Sequence, residues 1–344
     1  MLEWFAEYGM FLAKTLTFVI AIVLVIAIGA AAGQRRGKAH KGHIEIDSLN
    51  DEFEQLQDEL QSVILDEDAY KTLKKEEKKR EKAERKQKDE KAVLPRTFVL
   101  EFDGDIKASA VDNLRKEIDA VLSVAQEGDD IILKLESSGG MVHSYGLAAS
   151  QLHRIKEHNI PLNICVDKVA ASGGYMMACV ADKLYAAPFA LLGSIGVIAQ
   201  LPNFNKLLRK NDIDFEMITA GEYKRTLTMF GENTDGARQK FKQEIDETHD
   251  LFKQFVIDQR PQLDIDSVAT GEVWFGQQAV NKQLIDEIST SDSVIYKAMQ
   301  NRDVFSVAYK EKHGLMEKLG LQAESSVERA LTRFMSRNVK RQPF

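Results

Sequence analysis

Cysteine is nearly missing from this sequence. The 344 residues hold only Cys165 and Cys179, each inside an apolar stretch. Two thiols so placed read as buried core residues and support neither a disulfide framework nor a metal site. A basic surplus is also missing. The formal net charge is -7, which argues against nucleic acid as a partner. Histidine is scarce where chemistry would need it. Of the seven histidines, His40 and His43 sit in a basic flank near the N-terminus, and His153, His158 and His249 have charged neighbours on expected helices. His143 alone lies beside a glycine-rich turn.

Charge is absent from residues 15–34, TLTFVIAIVLVIAIGAAAGQ. About 20 apolar residues cross a bilayer as a helix, so a transmembrane helix is expected at about 12–33 within an N-terminal segment 1–36. A cleaved signal peptide is the alternative, but the run exceeds the roughly 7–15 residues of a signal core. Arg35 and Arg36 come next, as stop-transfer flanks do. The positive charges of Arg35, Arg36, Lys38 and Lys41 point to a cytoplasmic location for the rest of the chain.

A second region, 37–92, reads as an amphipathic helix and a charged spacer. Leu49, Phe53, Leu56, Leu60 and Val63 recur at spacings of 4, 3, 4 and 3 on an acidic helix. Two heptads are too short for an independent coiled coil, so this helix is expected to dock on its own domain or on a neighbour. Residues 66–92 hold eleven basic and nine acidic side chains, a composition that cannot bury a core.

From Pro95 onward the pattern is α/β. Strands are expected at 97–102, 130–137, 162–167, 193–200 and 215–220. Helices are expected at 108–125, 144–158, 203–210, 235–259 and 276–282, with an amphipathic basic helix at 324–341 bearing Val327, Leu331, Phe334 and Met335. Strands alternating with helices predict a parallel sheet with crossover helices. The expected divisions are a catalytic domain at 93–300 and a C-terminal helical extension at 301–344.

Two glycine turns come after two of these strands: SSGG at 137–140 and ASGG at 171–174. Neither matches a phosphate-cradling or dinucleotide fingerprint. Ligands gather beyond the carboxyl ends of parallel strands, so both turns are expected at one edge of the sheet. Ser172 precedes Gly173, Gly174 and an expected helix. A serine there caps the helix, or else acts as a nucleophile beside free N–H groups that hold an oxyanion. Gly139 and Gly140 offer a second set of unhindered N–H groups. A serine nucleophile needs a base. His143 is one option. A lysine is another, but its ordinary pKa near 10.4 must fall by burial, at about 1.4 kcal/mol per unit. Lys224 comes after an expected strand, and taken alone it reads as a solvated surface charge.

The segments FDGDI (102–106), SSGG (137–140), VDKVAASGGYMMA (166–178), LLGSIGV (191–197), GEYK (221–224) and ATGEVWFGQQAVNKQLID (269–286) occur in this order. Together they resemble the signal peptide peptidase A family of serine–lysine peptidases, over roughly residues 95–290, and most of all its short members with a single anchor. The resemblance implies a ClpP/crotonase-like fold of repeated ββα units, carried behind the transmembrane helix and charged spacer. It implies Ser172 as nucleophile and Lys224, 52 positions later, as general base. Gly140 and Gly173 would supply the oxyanion N–H groups with Gly139 in support, and Ser194 would orient Lys224. The first turn reads Ser137–Ser138 where the family often has Ser-Pro. The resemblance further implies peptide or protein substrates, such as signal-peptide remnants or membrane-protein fragments. It implies a homo-oligomeric ring, an octamer among the options, in which neighbouring copies complete the active sites. The bilayer is then a partner through the N-terminal helix, in the cytoplasmic membrane of a bacterium. Family members face outward, against the basic flank, so the side is left open. No cofactor and no metal are called for. A crotonase-type acyl-CoA enzyme with a carboxylate base, and a catalytically silent membrane scaffold, are the competing readings.

Overall fold

The computed structural model of the protein describes residues 9–12, 14–18, 42–86 and 94–311. The chain divides into two compact units, Ile44–Tyr309 and a second formed by Met1–His43 with Lys310–Phe344. In the second, residues 9–12 and 14–18 are helical, and Phe11, Leu16 and Phe18 are exposed. Most of the expected transmembrane stretch, its arginine flank and the expected helix at 324–341 lie outside the described residues. Among the described residues no helix is long and apolar enough to cross a membrane.

The large unit is a mixed α/β structure around one sheet. Its strands are β1 (His43–Ser48), β2 (Arg96–Gly104), β3 (Asp130–Ser137), β4 (Leu162–Val166), β5 (Val169–Ala171), β6 (Lys183–Ala186), β7 (Leu191–Gly193), β8 (Val273–Phe275), β9 (Glu287–Ile288) and β10 (Asp303–Lys310). The main path runs β1-β10-β2-β3-β4-β6-β9. From β10 to β9 every pairing is parallel. Parallel strands covered on both faces need apolar side chains on both. Thus Phe98, Val99 and Leu100 of β2, and Ile131, Ile132 and Leu133 of β3, are consecutive and all buried.

The helices are α1 (Leu49–Ile64), α2 (Glu67–Lys86), α3 (Val111–Leu122), α4 (Val142–Glu157), α5 (Gly173–Ala178), α6 (Asn205–Lys210), α7 (Asp235–Gln259), α8 (Ile265–Val268), α9 (Gly276–Ala279) and α10 (Ser291–Met299). Helix α3 buries Val111, Leu114, Ile118 and Val121 at helical spacing. With α4 and α5 it covers the larger core, which also takes Leu152, Ile155 and Met177. A smaller cluster of Val99, Ile132, Cys165 and Val304 is covered by α10 and by Leu49 of α1.

The acidic helix α1 is capped by Ser48, whose side chain accepts the Asp51 N–H. Asn50 pins it to the body by donating to the carbonyls of Met299 and Arg302 and accepting the Val304 N–H. Only the first part of the expected apolar stripe docks. Phe53 meets Tyr296 edge-on at 5.4 Å, while Leu56, Leu60 and Val63 remain exposed. Helix α2 is joined to α1 by an ion pair between Lys74 and Asp58, so the first part of the charged spacer is helical.

Two expected strands are not formed. Past β7, residues 194–204 have no regular structure, because Gly193 (φ 99) and Ser194 (φ 51) turn the chain out of the extended region. Residues 215–220 are also irregular and every one is exposed, so no neighbouring strand satisfies their backbone.

Candidate active site

Strand β3 forks. Its body pairs with β4, and its last residue pairs with β5 in the register Ser137↔Ala170. Two residues beyond this pair, Gly139 stands opposite Ser172. The two glycine turns therefore meet, as the sequence predicts. The contact is close: a Cβ on Gly139, at φ 87, would lie 2.6 Å from the Gly173 nitrogen and 2.8 Å from the Ser172 Cβ. Only glycine fits there. On its other side β5 pairs with β7 in the register Ala171↔Gly193, and the Ser172 N–H donates to the Gly193 carbonyl at 2.8 Å. Ser194 is thus the residue opposite Ser172 on that side. Its own N–H donates to the Glu272 carbonyl at 2.6 Å.

Ser172 forms the junction between β5 and α5. Its backbone is at φ 52, ψ -120, and its side chain makes no cap hydrogen bond to α5. Helix capping is therefore not what the hydroxyl does. A non-glycine residue held in such a region costs on the order of 1–3 kcal/mol and is characteristic of functional sites. A strand–serine–helix junction of this kind lifts a hydroxyl clear of the sheet. The N–H groups of Gly140 and Gly173 have no hydrogen-bond partner among the described residues. Those beside Gly140 are both used: Gly139 N–H donates to Ser137 Oγ at 3.0 Å, and Met141 N–H donates to the Ile106 carbonyl at 2.9 Å. A half-buried hydroxyl where two turns meet, each turn with a free N–H, suits attack on a carbonyl, with the N–H groups to hold the resulting oxyanion.

Neither candidate base is hydrogen-bonded to Ser172 among the described residues. Lys224 lies in an irregular stretch between α6 and α7 and is exposed, with its N–H donating to the Gly221 carbonyl at 3.2 Å. No hydrogen bond joins its side chain to Ser172 or Ser194 among the described residues. The stretch around it is rich in exposed apolar residues, including Ile213, Phe215, Met217 and Ile218. His143 is exposed on the first turn of α4 and likewise has no hydrogen bond to Ser172. Cys165 and Cys179 are buried, and burial pushes both thiols up to about 12, so neither is a nucleophile. No group of His, Cys, Asp or Glu that could hold a metal is found among the described residues. Sequence reasoning missed the buried pair under the site, Ser137 and Tyr145. An aromatic residue at a helical core position carries no signal that its hydroxyl has a polar partner.

The families and relatives that the chain matches define a peptidase. Two family models, described as "Peptidase family S49 N-terminal" and "Peptidase family S49", match residues 3–152 and 154–305, and the chain belongs to peptidase family S49. It is 49% identical over 342 residues to "Probable protease SohB" of Haemophilus influenzae, covering 96% of each chain. It is 44% identical to "Probable protease SohB" of Buchnera aphidicola, covering 91% of this chain and 92% of that one. "Protease 4" of Haemophilus influenzae is 24% identical, over 59% of this chain and 34% of the other. Among solved structures, a point mutant of the membrane-bound stomatin-specific protease 1510-N, in complex with a substrate peptide, aligns with a TM-score of 0.41 at 14% identity, over 66% of this chain and 97% of that chain.

Proposed function

We propose that this peptidase is a membrane-anchored serine endopeptidase that uses a Ser172–Lys224 dyad on a ClpP/crotonase-like fold. The observation that supports it most is the strained Ser172 at the meeting of two turns, each with an unpaired N–H, those of Gly140 and Gly173. In this reading Ser172 Oγ attacks a peptide carbonyl as neutral Lys224 accepts its proton. The two N–H groups bind the oxyanion, Lys224 returns the proton to the leaving amine, and water releases the acyl group. Ser194 orients the lysine, and Gly139 backs the turn.

A lysine is a base only when burial favours its neutral form. Lys224 is exposed in the single chain. The cover therefore comes from another copy of the chain, which the exposed apolar residues around Lys224 favour, and the working enzyme is a homo-oligomeric ring. The uncharged run at 15–34 is the bilayer anchor, and peptides left in or near the membrane are the substrates.

The test is hydrolysis of casein or a fluorogenic peptide by the full-length chain in detergent micelles. Ser172→Ala and Lys224→Ala are each expected to lower kcat by at least about 10³-fold, while His143→Ala is expected to retain it. Full activity in Ser172→Ala would refute the mechanism, and loss in His143→Ala with retention in Lys224→Ala would replace the dyad by a histidine mechanism.

A further inference from the structure

We propose that Tyr145 is a positioning residue that holds both oxyanion-binding turns, acting on one through its hydroxyl and on the other through its ring. This rests on the proposed role of Ser172, and it assigns work to a side chain too deep to touch substrate. Tyr145 lies on α4 and is fully buried, as is Ser137 to within 2%. Their hydroxyls are 2.5 Å apart, and the Tyr145 hydroxyl is 2.7 Å from the Asp105 carbonyl.

The protons can be assigned from the acceptors. A carbonyl only accepts, so Tyr145 donates to Asp105. Ser137 then donates its one proton to the Tyr145 oxygen at 2.5 Å, the nearer of its two acceptors, the other being the Gly104 carbonyl at 3.3 Å, and it accepts the Gly139 N–H at 3.0 Å. The chain runs Gly139 N–H to Ser137 to Tyr145 to the Asp105 carbonyl, with each hydroxyl polarised by the next. One residue along, the Ile106 carbonyl takes the Met141 N–H. The loop after β2 is thereby stitched to the first glycine turn on both sides of Gly140. With both neighbours fixed, the Gly140 N–H has one direction left to point.

The ring acts on the second turn. A Cβ on Gly173 would lie 2.4 Å from Tyr145 Cγ and 2.7 Å from its Cδ2, so the Gly173 backbone packs directly against the base of the ring. The ring is itself held edge-on by Phe102 at 6.5 Å. One side chain therefore sets the spacing of the two N–H groups that would share an oxyanion. Deleting the hydroxyl alone frees the first turn and leaves the second in place.

The test is steady-state hydrolysis by the full-length chain in micelles, with Ser172→Ala as reference for the nucleophile. Tyr145→Phe is expected to lower kcat about 10- to 100-fold with KM within about twofold, the signature of an interaction made only in the transition state. Labelling of Ser172 by a peptidyl phosphonate should slow by the same factor. Tyr175→Phe removes another fully buried hydroxyl, which donates to the Leu284 carbonyl at 2.8 Å. It is expected to lower the Tm and leave kcat unchanged. Ser137→Ala breaks the same chain while keeping the Tyr145–Asp105 bond, and it decides the question if Tyr145→Phe does not fold. Wild-type kcat in Tyr145→Phe or in a folded Ser137→Ala overturns the proposal. So does a loss in Tyr145→Phe that merely matches the loss in Tyr175→Phe. If Ser172→Ala hydrolyses as fast as the wild type, the nucleophile itself is wrong and the clamp falls with it.

Discussion

At the scale of single residues, the site is made by close approaches that only a hydrogen atom at Cα allows. Gly140 is the sharpest case, because a Cβ there would lie 2.1 Å from the Ile106 carbonyl oxygen. Neither backbone can yield without moving the turn. Gly140→Ala is therefore expected to lower hydrolysis by about 100-fold, the cost of misplacing a catalytic group by about 1 Å. Gly146, on α4, has nothing within 4 Å of its would-be Cβ. Gly146→Ala should leave hydrolysis intact and raise stability by about 0.5–1 kcal/mol, since it removes backbone freedom from a helix interior. Kinetics and thermal unfolding of the two variants check both halves. The glycine turns were legible in the sequence because each comes directly after an apolar strand. The hydroxyl chain beneath them was not, since it depends on which buried atoms face one another.

At the scale of elements, the piece behind the nucleophile is tied down by one ion pair. Arg260, just past α7 and 3% exposed, meets Asp286, just before β9, at 2.7 Å. Asp286 also accepts the Leu184 N–H of β6 at 2.7 Å. Burial works against the charge of Asp286, but these donors outweigh it and hold its carboxyl below the usual carboxylate range. A depressed folded pKa contributes stability above about pH 4, which is lost as pH falls through the folded value. Thermal unfolding should therefore show a fall in Tm below about pH 4 that is shallower in Asp286→Asn. At neutral pH, Asp286→Ala should cost on the order of 3 kcal/mol, because it leaves a buried guanidinium without its counter-charge. An unchanged acid slope would show that the pair contributes nothing. Long elements were readable for a physical reason. Strands β2, β3 and β4 and helix α7 declare themselves through sustained apolar runs or helical spacing. The expected strand at 193–200 failed because Gly193 and Ser194 turn the chain out of the extended region, and that at 215–220 because no neighbouring strand satisfies its backbone. Strand β1 went unnoticed because at the sheet edge most of its side chains are exposed, and β10 because only Val304 and Val307 along it are buried, too sparse a pattern.

At the scale of the whole molecule, the two halves of the proposed dyad differ in kind. Ser172 is built by the fold: three strands and two turns fix it, and all of them lie in sequence segments that were recognisable. Lys224 is not built by the fold of one chain. It sits exposed in an irregular stretch surrounded by uncovered apolar side chains. Sequence motifs named it, whereas local physics could not. The most direct measurement is mass-spectrometric mapping of a peptidyl phosphonate reacted with the full-length chain in micelles. The account predicts a single adduct on Ser172, formed at least about 100-fold more slowly in Lys224→Ala. An adduct on any other residue, or equal labelling in Lys224→Ala, would contradict it.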